Sequence, residues 1–164
     1  MIRIFIKKQI EVLFYGKFMN KQSVFFEKCL KHQKIRSFSR GKILAPKEIN
    51  LAKADLDRGV KTFKEGDFKW ATIQAYYSMF HSARALLYYR NYREKSHACL
   101  IEAIRIFYVQ EGKIGYWLIE TMQEAKRLRE EADYYGEYSE STARNLISKA
   151  DEFLSKAKEL IVEL

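Results

Sequence analysis

Apolar residues recur at steps of three and four along most of this chain, and the densest such stretch lies between residues 70 and 104. There Trp70, Ile73, Tyr77, Phe80, Arg84 and Leu87 fall on one stripe, widened by Tyr76, Ala83 and Leu86. That period belongs to a helix, and it predicts a helix packing by this face. Asp67 precedes it as a candidate N-cap. After Tyr89 the polar run Arg90, Asn91, Tyr92, Arg93, Glu94, Lys95 reads as a short charged turn. Ser96 is placed to cap a second helix, whose stripe is Leu100, Ile101, Ile104, Phe107 and Tyr108. His97 therefore falls in a helix's first turn.

On either side the pattern continues. A helix over about residues 47–65 carries Ile49, Ala52, Leu56, Val60 and Phe63 and ends at Gly66, with Pro46 at its first turn. A third stretch runs from about His97 to Gln110, a fourth from about Ile114 to Asp133, and a fifth carries Leu146, Ala150, Phe153, Leu154, Ala157 and Leu160 towards the end. A short helix is expected from Phe25 to Lys34, and RSFSRGKILAP reads as a linker. Residues 2–18 fit a short strand or a helix equally; Met19 is a second start, so residues 1–18 read as an extension or an upstream start. Short connections favour antiparallel neighbours. The expected fold is all-α, an up-and-down antiparallel bundle of four to five helices over residues 47–164, preceded by a basic segment over 1–46.

Charge changes this picture at one end only. Residues 1–50 hold twelve Lys and Arg against three Asp and Glu, which accounts for the whole net charge of +9. Such a segment suits contact with a phosphate backbone; it equally suits a solvated face or docking on an acidic protein. No run of eighteen apolar residues suggests a membrane span, and the start lacks a signal-peptide pattern, so the expected address is the cytoplasm. Cys29 and Cys99 are far apart and match no metal-type spacing, so both are expected to be free thiols.

A helix's first turn favours an anion and disfavours added positive charge, so His97 should tend to its neutral form. Arg90 and Arg93 belong to the same turn, which would bring a phosphate, an imidazole and a fixed cation together. Arg84, Arg93 and Ser96 are candidate phosphate- or nucleotide-binding groups.

AYYSMFHSARALL, then the turn with KSH and an apolar helix, then RLREEADY, resembles the HEPN family (higher eukaryotes and prokaryotes nucleotide-binding domain) over roughly residues 47–162, and within it the small stand-alone prokaryotic proteins. The family's catalytic signature is an arginine followed four to six residues later by a histidine, and Arg90 and His97, with six residues between them, fit its upper limit. In active members the resemblance implies metal-independent RNA cleavage, with no cofactor. Carried over, His97 is the base that takes the ribose 2′-OH proton, and Arg90 stabilises the pentacoordinate phosphate. It also implies a homodimer and a nucleotidyltransferase-type partner protein in a toxin–antitoxin-like pair, with RNA or a nucleotide as ligand. Where AMPylated members carry a tyrosine two residues beyond the histidine, this chain has Cys99.

Plainer roles stand beside these. His97 also suits a helix cap that hydrogen-bonds across the bundle, which leaves a non-catalytic nucleotide- or partner-binding module as the alternative. His81 reads as a satisfied core or interface group. Arg84 needs a carboxylate, with Asp133 the candidate. Arg129 and Asp133 are spaced for an i,i+4 pair. The tyrosines at 76, 77, 88, 89, 92, 134, 135 and 138 suit packing or base stacking. The sequence holds no H-E-x-x-H, phosphate-loop or G-x-G-x-x-G pattern.

Overall fold

The computed structural model describes residues 24–162, so residues 1–18 and Met19 lie outside it. A helix, α1, covers 24–31 and is followed by β1 (Ile35–Ser37), α2 (Gly41–Lys64) and α3 (Phe68–Tyr89). Then come β2 (Tyr92–Glu94), α4 (His97–Ile104), α5 (Trp117–Glu130) and α6 (Glu140–Val162). Two π-helical turns, Arg105–Val109 and Glu131–Tyr135, extend α4 and α5. The fold is a helical bundle with one small antiparallel sheet.

The bundle is assembled on α3, which packs against α2, α4, α5 and α6. For that reason α3 is buried on more than the expected stripe. Ala71, Ala75, Met79, Ala83, Ala85, Leu86 and Leu87 are all inaccessible, whereas Trp70, placed on the stripe by period alone, is 50% exposed. Asp67 does cap α3, accepting from the Trp70 N–H at 3.1 Å. Helices α2 and α3 approach closely at Gly59, where a Cβ would lie 3.6 Å from the Ala71 carbonyl oxygen and 3.7 Å from the Ala75 nitrogen. Between them Gly66 adopts φ +82°, a left-handed conformation that a side chain would strain.

The segment read as a linker is not one. Ile35–Ser37 pairs antiparallel with Tyr92–Glu94, in the register Ile35 to Glu94, Arg36 to Arg93 and Ser37 to Tyr92. The charged turn after α3 is accordingly half strand, and α2 begins five residues before Pro46. Each strand is three residues long, too short for a period of two to be legible. Pro46 thus lies in the second turn of α2 and not at its first, and its missing N–H leaves the Lys42 carbonyl without the helical donor it would otherwise have.

The start of α2 is seated against the end of α3. Asn91, itself left-handed at φ 59°, accepts from the Lys42 N–H through Oδ1 at 3.3 Å. A Cβ on Gly41 would lie 2.2 Å from the Tyr88 carbonyl oxygen and 3.1 Å from the Asn91 Cα. Both are backbone atoms, so the helix end itself would have to shift. Gly41→Ala is therefore expected to lower unfolding stability by about 1–3 kcal/mol, read as a lower urea midpoint; an unchanged midpoint would refute the close seating.

Cys29 and Cys99 form a disulfide, which corrects the expectation of two free thiols. The β1–β2 ladder brings α1 beside the first turn of α4 and sets the two Cα atoms 5.8 Å apart, within bonding reach. Linear spacing carries no trace of this, because the pairing depends on a sheet formed by residues far apart in the chain.

Candidate functional site

His97 opens α4, as the sequence predicts, with Ser96 as the residue before it. Ser96 accepts the Leu100 N–H through its backbone carbonyl at 2.9 Å, and its side chain makes no capping bond. The extended φ of −151° at Ser96 turns the chain from β2 into the helix. His97 is thereby set over α3, its ring centroid 4.4 Å from that of Phe80. Its Nδ1 lies 2.6 Å from the hydroxyl of Tyr76, a residue only 4% exposed. The cross-bundle hydrogen bond considered for His97 is thus formed. At its other nitrogen, Nε2, His97 has no hydrogen-bond partner among the described residues.

Electrostatics favour the neutral ring. Burial against the aromatic cluster lowers the His97 pKa most; Glu94 works against this, and Arg84, Lys126 and Arg129 lower it further. The expected direction holds, but loss of water around the ring is the main cause, ahead of any helix-end effect.

Arg84 lies on the far part of the same aromatic cluster, its guanidinium 4.4 Å from the Phe80 centroid. It donates to Glu94 Oε1 through Nε at 2.8 Å and through Nη2 at 2.6 Å. The Glu94 side chain is 3% exposed, and its Oε2 has no hydrogen-bond partner. Asp133, proposed as the partner of Arg84, instead meets Arg129 at 3.1 Å. The reason is local: β2 returns Glu94 along α3, so the carboxylate ten residues on reaches Arg84. Arg129 also donates to the Tyr77 hydroxyl at 3.3 Å and lies over the rings of Tyr77 and Tyr134. Glu48 of α2 continues the charged chain, 3.9 Å from Arg84 and 2.7 Å from His81 Nδ1, which donates to it. His81 is a satisfied structural group, as its position on α3 implies.

Arg90 points elsewhere. It donates to the Phe107 carbonyl at 3.0 Å and to Glu111 at 2.5 Å, and it lies 5.1 Å from the Tyr108 ring centroid. Among the described residues no hydrogen bond or ring contact joins Arg90 to His97. Arg93 sits over Phe38 at 5.3 Å on the outer face of the sheet. Of the candidate residues, the fold therefore gathers His97 and Arg84 around Phe80, with Ser96 beside them, and sends Arg90 and Arg93 to other surroundings. Tyr76, Glu94, Lys126 and Arg129 complete the site and were not singled out for it. Tyr76 was legible only as a member of the helical stripe and of the tyrosines suited to packing or stacking.

The sequence comparisons agree with this architecture. The HEPN domain family matches residues 47–160, and the chain belongs to that family. It is 31% identical over 117 residues to a candidate toxin of Methanocaldococcus jannaschii, covering 71% of this chain and 87% of the relative. A second candidate toxin of that organism is 26% identical over 118 residues, 71% of this chain and 80% of the relative. A UPF0332 protein of Archaeoglobus fulgidus is 30% identical over 122 residues, covering 70% of this chain and 94% of its own length. No helix among the described residues is long and apolar enough to cross a membrane.

Proposed function

We propose that this chain is the HEPN component of a toxin–antitoxin-like pair with a nucleotidyltransferase-type partner, and that it cleaves RNA without a metal ion in a cleft shared by two copies. One observation carries the reading: a histidine at the start of α4, hydrogen-bonded at Nδ1 only among the described residues, its pKa lowered by burial and by Arg84, Lys126 and Arg129. In this scheme the ribose 2′-OH gives its proton to His97 and the 2′ oxygen attacks the phosphorus. The P–O5′ bond breaks, leaving a 2′,3′-cyclic phosphate and a 5′-hydroxyl that takes up a proton. Arg90 is assigned to the negative charge of the pentacoordinate phosphate, and Arg84, Arg93 and Ser96 to holding the substrate phosphates. For Arg90 to do so, its pair with Glu111 has to open.

The test is incubation of labelled RNA with excess EDTA, wild type beside His97→Ala. Wild type should release cyclic-phosphate ends, and the variant should be slower by about 10²–10⁴-fold. Equal rates would remove His97 from the chemistry, and no cleavage by either would remove the ribonuclease. The second reading, a nucleotide- or partner-binding module without turnover, is favoured by the engagement of Arg90 with Glu111 and Phe107. Calorimetry with nucleotides and with the partner protein distinguishes it.

A further inference from the structure

The pair formed by Tyr76 and His97 contains an asymmetry that decides which ring nitrogen carries the proton. Tyr76 is 4% exposed, its ring packed against Tyr77 at 5.2 Å and Phe80 at 6.3 Å between centroids. Burial raises its pKa, so the phenol keeps its proton. That proton needs an acceptor, because a buried hydroxyl left without one is costly. Among the described residues the Tyr76 hydroxyl has one hydrogen-bond partner, Nδ1 of His97 at 2.6 Å. Glu94 Oε2, the unpartnered carboxylate oxygen of the site, accepts nothing.

Two arrangements are available. If Nδ1–H donates to the Tyr76 oxygen, the phenol proton is stranded inside the aromatic cluster and Nε2 presents a lone pair. If Tyr76 donates to Nδ1, the phenol is satisfied, and the ring proton sits on Nε2. His97 is an exposed residue, so water can accept from Nε2–H. The second arrangement leaves no buried donor unpaired.

We propose that Tyr76 is a positioning residue that holds His97 in the Nε2–H tautomer, so that the resting site presents a hydrogen-bond donor, in place of a base, to an anionic oxygen. This rests on the reading of His97 as the group of the RNA-cleaving site that takes the 2′-OH proton. In the resting chain the nearby cations are each ion-paired, Arg84 with Glu94, Lys126 with Glu130 at 2.6 Å and Arg129 with Asp133, so the Nε2–H is the donor left to meet a phosphodiester oxygen. The 2′-OH proton can pass to Nε2 only after the ring proton has moved to Nδ1 through exchange with solvent and the Tyr76 hydroxyl has turned away. The hydrogen bond is thus a brake on cleavage: it stabilises the phosphate-holding form and has to be released for proton abstraction. The charged groups facing the ring are Glu94 from β2, Arg84 from α3, and Lys126 and Arg129 from α5, none of which is a hydrogen-bond partner of either ring nitrogen.

The experiment is long-range proton–nitrogen correlation NMR on the full chain labelled with ¹⁵N-histidine, near neutral pH and through a pH titration. His97 is assigned by the signal lost in His97→Gln, which separates it from His32 and His81. Wild type is expected to show neutral His97 protonated at Nε2. In Tyr76→Phe, which keeps the ring that Tyr77 and Phe80 pack on, the pattern should move to a mixture of tautomers. The titration midpoint should also rise, since a donor that favours the neutral ring has been removed. A wild-type ring protonated at Nδ1, or an identical pattern and titration in both proteins, overturns the proposal. Should Tyr76→Phe fail to fold, the wild-type tautomer decides alone. RNA turnover is not read in this experiment, so an inactive protein with the Nε2–H tautomer would remove the ribonuclease reading and leave this one, and the converse result would do the reverse.

Discussion

Reducing the Cys29–Cys99 disulfide is expected to lower the unfolding free energy by about 4 kcal/mol, the largest single change anticipated for this chain. The two cysteines are separated by 70 residues, so the crosslink closes a long loop in the unfolded state and removes much of its conformational freedom. In the folded state both residues are buried, at 2% and 4% exposure, and belong to the apolar core, so reduction leaves two packed thiols and little loss of contact. The effect should therefore act mainly on the unfolded chain. For a protein of this size it corresponds to a fall in melting temperature of about 10 °C. Calorimetry with and without a dithiol reductant measures it, and Cys29→Ser together with Cys99→Ser should reproduce the reduced protein. Thiol labelling of the denatured, unreduced protein is the control; two labelled thiols per chain would refute the bond. Since α1 is tied to the first turn of α4, the reduced protein should also show faster amide exchange at the start of α4 than elsewhere in the bundle.

What the sequence made legible follows the range over which each interaction acts. The helices of the bundle were readable because their apolar period is set within a few turns, and so was His97 at the head of α4, which needs only an interruption of that period and a capping residue. Interactions that depend on how the chain doubles back were not. Asn91 takes the left-handed conformation immediately after Arg90, and the chain reverses into β2 there. Arg90 is left at the end of α3, where Phe107 and Glu111 receive it, while the strand carries the chain on to His97. A seven-residue spacing that looks like proximity is thus broken by one backbone conformation. The same reversal explains Arg84, whose need for a carboxylate was evident but whose partner was not: Glu94 returns along α3, and Asp133 is taken by Arg129. Trp70 marks the opposite failure, since a periodic stripe identifies a helix without telling how many neighbours surround it.

The Arg84–Glu94 pair supplies the second large expected effect. Glu94→Ala should cost about 3 kcal/mol, measured by urea unfolding, because it removes the carboxylate and leaves the Arg84 guanidinium half-buried without a close anion. Glu48, at 3.9 Å from Arg84 and already bonded to His81, offers only partial compensation. This is why the expected loss lies at the lower end of the range for a broken buried pair. Replacing both partners separates desolvation from attraction. Arg84→Met with Glu94→Ala should recover most of the loss, since the methionine can rest on Phe80 where the guanidinium now lies and no unpaired charge remains. If the double variant is as unstable as the sum of the two single ones, the pair is not coupled and the burial of Glu94 has another cause. The single variant also connects the scaffold to the site. Glu94 is the group that holds the His97 pKa up against burial and the surrounding cations. In Glu94→Ala the ring should therefore protonate only at lower pH than in wild type. Its histidine titration, followed beside the stability measurement, shows whether the buried pair tunes the imidazole as well as fastening β2 to α3.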